Sequence, residues 1–119
     1  MKVLVDTSVW IDFLSVGDPR MADLLTQKAV EMHPSVIGEL ACGNLADRKR
    51  VLGELGVLPR ALPAQDHEVL AFVESHRLYG SGLGWTDAHL LASALVSGDR
   101  LWTRDKALGK AAEKLGIAF

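Results

Sequence analysis

The chain has 119 residues, 49% hydrophobic and 24% charged, with a formal net charge of −2. This composition excludes disorder and favours one globular domain, and it carries no bulk basic charge of the kind that marks many nucleic-acid binders. A lone Cys42 excludes an intrachain disulfide, no signal-peptide core is visible, and no apolar run approaches the roughly 20 residues of a membrane helix, so a reducing, cytoplasmic setting without a membrane is expected.

Val3, Leu4 and Val5 form a short unbroken apolar run, as expected of a strand covered on both faces. Asp6 or Thr7 can cap the helix that follows, whose apolar residues Val9, Trp10, Phe13 and Leu14 repeat at helical spacing. Gly17 breaks it. Asp18 then reads as an N-cap with Pro19 in the first helical position, and Met21, Leu24 and Leu25 form the buried stripe. Val30 to Met32 predicts a second strand. Pro34 and Ser35 open a third helix with Val36, Ile37, Leu40 and Ala41 inward, and Gly43-Asn44 closes it. Asp47 to Leu55 reads as a helix with a basic face, Arg48, Lys49 and Arg50, which is expected to be solvated rather than phosphate-tracking.

Val57-Leu58 predicts a third strand, and Pro59 and Pro63 bracket a linker. Residues 65 to 78 form a helix carried by Val69, Phe72 and Val73. Gly80, Gly82 and Gly84 make a flexible loop that matches neither a Walker A loop nor the dinucleotide fingerprint. The helix from about Thr86 to Val96 is apolar almost all round and is expected to be central. Leu101 to Thr103, Lys106 to Leu115 and Ile117 to Phe119 complete the chain as strand, helix and strand. Strands alternating with helices predict an α/β fold with a mainly parallel sheet.

Four acids mark element ends or helix faces. Asp6 ends the first strand, Asp105 lies just past Thr103, Asp87 is in the first turn of the most apolar helix, and Glu39 lies beside the third helix's stripe. Ligands in open α/β sheets bind beyond the carboxyl ends of strands. Carboxylates packed together repel unless one is protonated or a cation is present. A hard cation such as Mg²⁺ takes oxygen ligands and can activate water for phosphodiester cleavage. Each acid also has a structural alternative, as an N-cap, a dipole partner or a solvated helix residue. Spacing alone does not show that the four meet.

The segment VDTSVWIDFL resembles the opening of PIN-domain ribonucleases, in particular the VapC-type toxins of bacterial toxin–antitoxin pairs. SVIGELACG, GWTDAHLLASAL and LWTRDKAL follow in the family's order, so the resemblance covers nearly the whole chain, as a single PIN domain over residues 1–119. His89 departs from the small or apolar residue usual after Asp-Ala. The resemblance implies a Mg²⁺- or Mn²⁺-dependent endoribonuclease with catalytic Asp6, Glu39, Asp87 and Asp105. Asp6 and Asp87 would be the principal metal ligands, Asp105 would bind directly or through water, and Glu39 would orient water at the metal. Thr7 and Thr103 would position carboxylates or touch a phosphate oxygen, and Arg104 would contact the substrate backbone. It also implies a VapB-type antitoxin docked near residues 9 to 25 and 36 to 58, a homodimer, and a higher toxin–antitoxin complex.

Among the remaining residues, Trp10, Phe13 and Trp102 read as core, Trp85 as more open, and Cys42 as a small core residue. His33, His67, His76 and His89 lack zinc-ligand spacing. A non-catalytic PIN module binding RNA or protein is the alternative function. An Asp-nucleophile phosphatase would need an acid where Ser8 stands, and Lys106 fits a phosphotransfer receiver poorly.

Overall fold

The computed structural model describes residues 1–119. In chain order the elements are β1 (Val3–Val5), α1 (Thr7–Val16), α2 (Pro19–Thr26), β2 (Val30–Glu31), α3 (Pro34–Cys42), α4 (Arg48–Gly56), α5 (Asp66–Ser75), α6 (Trp85–Ser97), β3 (Arg100–Trp102) and α7 (Lys106–Lys114). The three strands form a parallel sheet in the order β2-β1-β3, an α/β architecture. Val3 stands between Val30 and Arg100, Leu4 between Glu31 and Leu101, and Val5 pairs with Trp102. Central position explains the unbroken apolar run of β1, since helices cover both faces and all three of its side chains are fully buried.

Single-residue parallel bridges extend the sheet on both sides, Met32 with Arg60 and Leu101 with Ala118. Two sequence expectations are corrected here. Val57-Leu58 is not a strand: Val57 is the C-cap of α4, 83% exposed, and the Leu58 amide bonds back to Leu55. The pairing falls two residues later, where the Met32 amide donates to Pro59 O at 2.7 Å and the Ala61 amide to Met32 O at 3.0 Å. The last strand, expected over Ile117 to Phe119, shrinks to the Ala118 bridge, flanked by Leu101 N–H to Ile117 O and Phe119 N–H to Leu101 O.

The main core joins β1, Trp10, Met21, Met32, Val36, Leu90, Leu91, Leu101 and Leu108. Trp10 meets Phe13 edge to face, with centroids 6.0 Å apart. Asp18 caps α2 by accepting from the amides of Arg20 and Met21, and Pro19 fills the first helical position, where a missing N–H costs nothing. The buried part of α6 runs from Ala88 to Ala94, while Trp85 before it and Leu95 and Val96 after it are exposed, so the helix is central only over its middle turns. Cys42 is also corrected: as the last residue of α3 it faces solvent. Arg48 donates to the carbonyls of Ala41 and Gly43, which closes the end of α3, and Arg50 pairs with Asp47 and Glu54, so much of the basic face is neutralised internally. No helix is long and apolar enough to cross a membrane.

Candidate active site

Because β1, β2 and β3 are parallel, their carboxyl ends share one edge of the sheet. Asp6 is the first residue beyond β1, and its amide extends the ladder by bonding Trp102 O at 2.9 Å. It occupies the N-cap of α1, yet its carboxylate caps nothing. Instead Oδ2 accepts from Ser8 Oγ at 2.8 Å and from Thr103 Oγ1 at 2.7 Å. Each hydroxyl in turn accepts a backbone amide at 3.0 Å, Ser8 from Arg104 and Thr103 from Asp105. A carboxylate 7% exposed is thus held by one oxygen, and Oδ1 has no hydrogen bond from the protein. Helix capping, the structural alternative for Asp6, does not describe this residue.

The other acids come from three further elements. Glu39 is exposed on α3, and Thr7 at the start of α1 donates to its Oε1 at 2.6 Å. Asp87, in the first turn of α6, accepts the Gly84 amide on Oδ2 at 3.0 Å. Asp105 caps α7, accepting the Leu108 amide on Oδ2 at 2.9 Å, so for this residue the capping role is present.

Burial pushes the Asp87 carboxyl above the ordinary range; the Gly84 amide opposes the shift, and the charges of Asp6, Asp105 and Glu39 reinforce it. The four acids therefore share one electrostatic field. They do not close on a common point: no three His, Cys, Asp or Glu side chains are arranged to hold a metal ion. A set of carboxylate oxygens with one unengaged Asp6 oxygen suits a hard, hydrated cation that keeps several waters.

The guanidinium of Arg104, expected to meet substrate, is clamped by Asp12 on α1 and by Asp18, 2.6 Å away at the head of α2. The Asp18 carboxyl is held below its usual range, chiefly by the Met21 amide and further by those of Arg20 and the Arg104 guanidinium, against the opposing effect of burial. Sequence reasoning missed Ser8 as a support for Asp6 and missed Asp12 and Asp18 as anchors for Arg104. The hydroxyl pair directly after Asp6 was the only signal for the first.

Beside Glu39 a cavity of about 490 Å³ opens between α1, α3 and α4, lined by Ile11, Leu14, Leu40, Leu45 and Val51. It shares Leu14 and Val51 with a second hollow of about 230 Å³ that reaches Trp10, Phe13 and Leu58. The two adjoin as a groove along α1, α3 and α4, mostly apolar in the second hollow and half polar in the first, where Glu39, Asp47 and Arg50 join the lining.

The PIN domain family model matches residues 3–114. The chain belongs to the PIN domain family. This PIN domain is also similar to the protein named "Ribonuclease VapC32" in Mycobacterium tuberculosis, in both strain CDC 1551 / Oshkosh and strain H37Rv. Each comparison gives 48% identity over 118 residues, covering 98% of this chain and 95% of the relative.

Proposed function

We propose that residues 1–119 act as one PIN domain that cleaves RNA as a Mg²⁺- or Mn²⁺-dependent endoribonuclease, the toxin of a type II toxin–antitoxin pair. The observation that carries this reading is the Asp6 carboxylate, withheld from its own helix and braced by Ser8 and Thr103 at the edge where Asp87 feels three other acids. The 48% identity to a protein named as a ribonuclease supports the same reading.

Asp6 and Asp87 would hold the metal, with Asp105 contributing directly or through water. A bound divalent cation supplies an acidified water and offsets the charge of a phosphodiester. Glu39, which accepts a hydrogen bond from Thr7, would orient water at that metal. Thr103 and Ser8 fix the Asp6 carboxylate, and the Arg104 backbone amide fixes Ser8. Arg104 itself ties the loop after β3 to α1 and α2, which keeps Asp105 in place.

A VapB-type antitoxin would lay an apolar helix in the groove of α1, α3 and α4 and reach the acids past Glu39. A homodimer within a larger toxin–antitoxin complex in the cytoplasm completes the proposal. Its test is incubation of the purified protein with total cellular RNA, with Mg²⁺ or Mn²⁺ against EDTA and Asp6→Asn alongside. Discrete metal-dependent fragments absent with Asp6→Asn are expected. A folded, metal-supplied protein that cuts nothing would shift the assignment to a non-catalytic PIN module.

A further inference from the structure

We propose that the lysine face of α7, with Arg77 beside it, is the surface along which the sugar–phosphate backbone runs away from the acidic edge; that this polyanion is RNA rests on the ribonuclease reading above.

Lys106, Lys110 and Lys114 recur every four residues on α7. At 3.6 residues per turn each step drifts by only about 40° and rises about 6 Å, so the three share one face. Leu108, Ala111 and Ala112 are buried and set the core side of the helix, whereas all three lysines are exposed. The face begins at the acids, since Lys106 directly follows Asp105, the N-cap of α7. Lys114 lies about 13 Å further along the helix axis than Asp105.

Arg77, also exposed, joins this face through the segment between α5 and α6. Lys114 Nζ donates to His76 O at 3.2 Å, which sets the residue before Arg77 against the last turn of α7. The same segment reaches the first turn as well, for a Cβ on Gly82 would stand 3.6 Å from that of Ala107. It then enters Gly84, whose amide donates to Asp87. The helix leads from Asp105 and the segment beside it leads to Asp87, so the face is continuous with the site.

Charge separates this face from the rest of the surface. Within α7 three lysines stand against Glu113, in a chain of net charge −2. The ion pairs of the protein are made by Arg50, Arg104 and His89, and none involves Arg77, Lys106, Lys110 or Lys114. Arg48 is committed to the carbonyls that end α3. Cations without carboxylate partners keep their charge for a polyanion, whose displaced counterions make the attraction grow as salt falls. The acids repel phosphate, and the α7 face supplies attraction next to them.

The test uses Asp6→Asn, in which cleavage is disabled, and a fluorescein-labelled oligouridylate of about 12 nucleotides. Binding is read by anisotropy over about 50 to 200 mM KCl. Each phosphate contact to a single strand contributes about −0.7 to the slope of log affinity against log salt. Lys106→Gln, Lys110→Gln and Lys114→Gln together should make the slope shallower by about 2 and weaken binding at least about 10-fold near the middle of that range. Lys49→Gln, an exposed lysine of α4, should change neither. In the cleaving protein Lys110→Gln with Lys114→Gln should raise KM for the same oligomer, with a much smaller effect on kcat. A parent that does not bind the oligomer, an unchanged slope in the triple variant, or an equal loss with Lys49→Gln overturns the proposal. Metal-dependent cleavage with an unchanged slope removes this surface and leaves the nuclease; a lysine-dependent slope without cleavage does the reverse.

Discussion

Thr103 donates its hydroxyl proton to Asp6 Oδ2 at 2.7 Å, joining two neighbouring strand ends that lie 97 residues apart in the chain. The Thr103 hydroxyl oxygen in turn accepts the Asp105 amide, so one hydroxyl sets the position of two of the acids. Thr103→Val keeps the shape and removes both bonds. The expected cost is on the order of 1–2 kcal/mol in urea unfolding, with cleavage reduced about 10- to 100-fold. Thr103→Ser should stay close to the parent. Equal cleavage by Thr103→Val would remove the bracing role.

Asp87 carries a raised pKa, first through burial and then through Asp6, Asp105 and Glu39, with the Gly84 amide opposing. A carboxyl whose folded value is raised contributes stability below its unfolded pKa of about 4 and loses it as pH rises. In the metal-free protein that contribution is therefore lost toward higher pH. Saturating Mg²⁺ should raise Tm by roughly 2–8 °C at pH 7, and the gain should shrink as the pH is lowered and Asp87 takes up its proton. Asp87→Asn should melt higher than the parent without metal and gain less from Mg²⁺. A Tm indifferent to Mg²⁺ at pH 7 would count against cation binding at this edge.

His33 caps α3 through Nδ1, which accepts the Ser35 amide at 3.0 Å, while Nε2 is buried without a partner. Burial, with His89 and Arg60 nearby, lowers its pKa to about 4. The sign is opposite to that of Asp87: its contribution is present above the unfolded value near 6.5 and fades as pH falls toward 4. Roughly 3 kcal/mol should be lost across that window. His33→Asn retains a capping side chain and should flatten the slope of urea-unfolding stability between those pH values. An unchanged slope would assign the acid sensitivity to other groups.

Asp99 is buried just before β3, its Oδ2 lacks a partner, and burial together with Glu31 raises its pKa to about 7, with Lys2 opposing. It therefore favours the folded state below neutrality and ceases to do so as pH rises through 7. Asp99→Asn should be relatively more stable at pH 8.5 than at pH 6 when each is compared with the parent by urea unfolding. A difference independent of pH would contradict the assignment.

The fold was legible where periodicity is local. The unbroken apolar run of Val3 to Val5 marks the central strand, and the Asp18-Pro19 signal marks the start of α2. Val57 and Leu58 misled because two apolar residues suit a helix end as well as a strand. The residue that pairs with Met32 is the charged Arg60, following Pro59, and neither resembles a sheet interior. The same limit applies at the site. The positions of the acids on element ends could be read along the chain, but the bracing of Asp6 depends on the Arg104 amide reaching Ser8 across 96 residues. Arg104 was legible as a charge, whereas its partners Asp12 and Asp18 emerge only when three elements meet. Cys42 was misread because its turn of α3 passes out of the core at the helix end.

The two margins of the sheet are each reduced to one bridged residue, Arg60 on one side and Ala118 on the other. A margin this short, with Pro59 and Pro63 beside Arg60, gives a stranger's extended chain almost no row of amides and carbonyls to copy. The fold is thereby guarded against growing by strand addition into filaments, and lasting association is left to the faces of its helices.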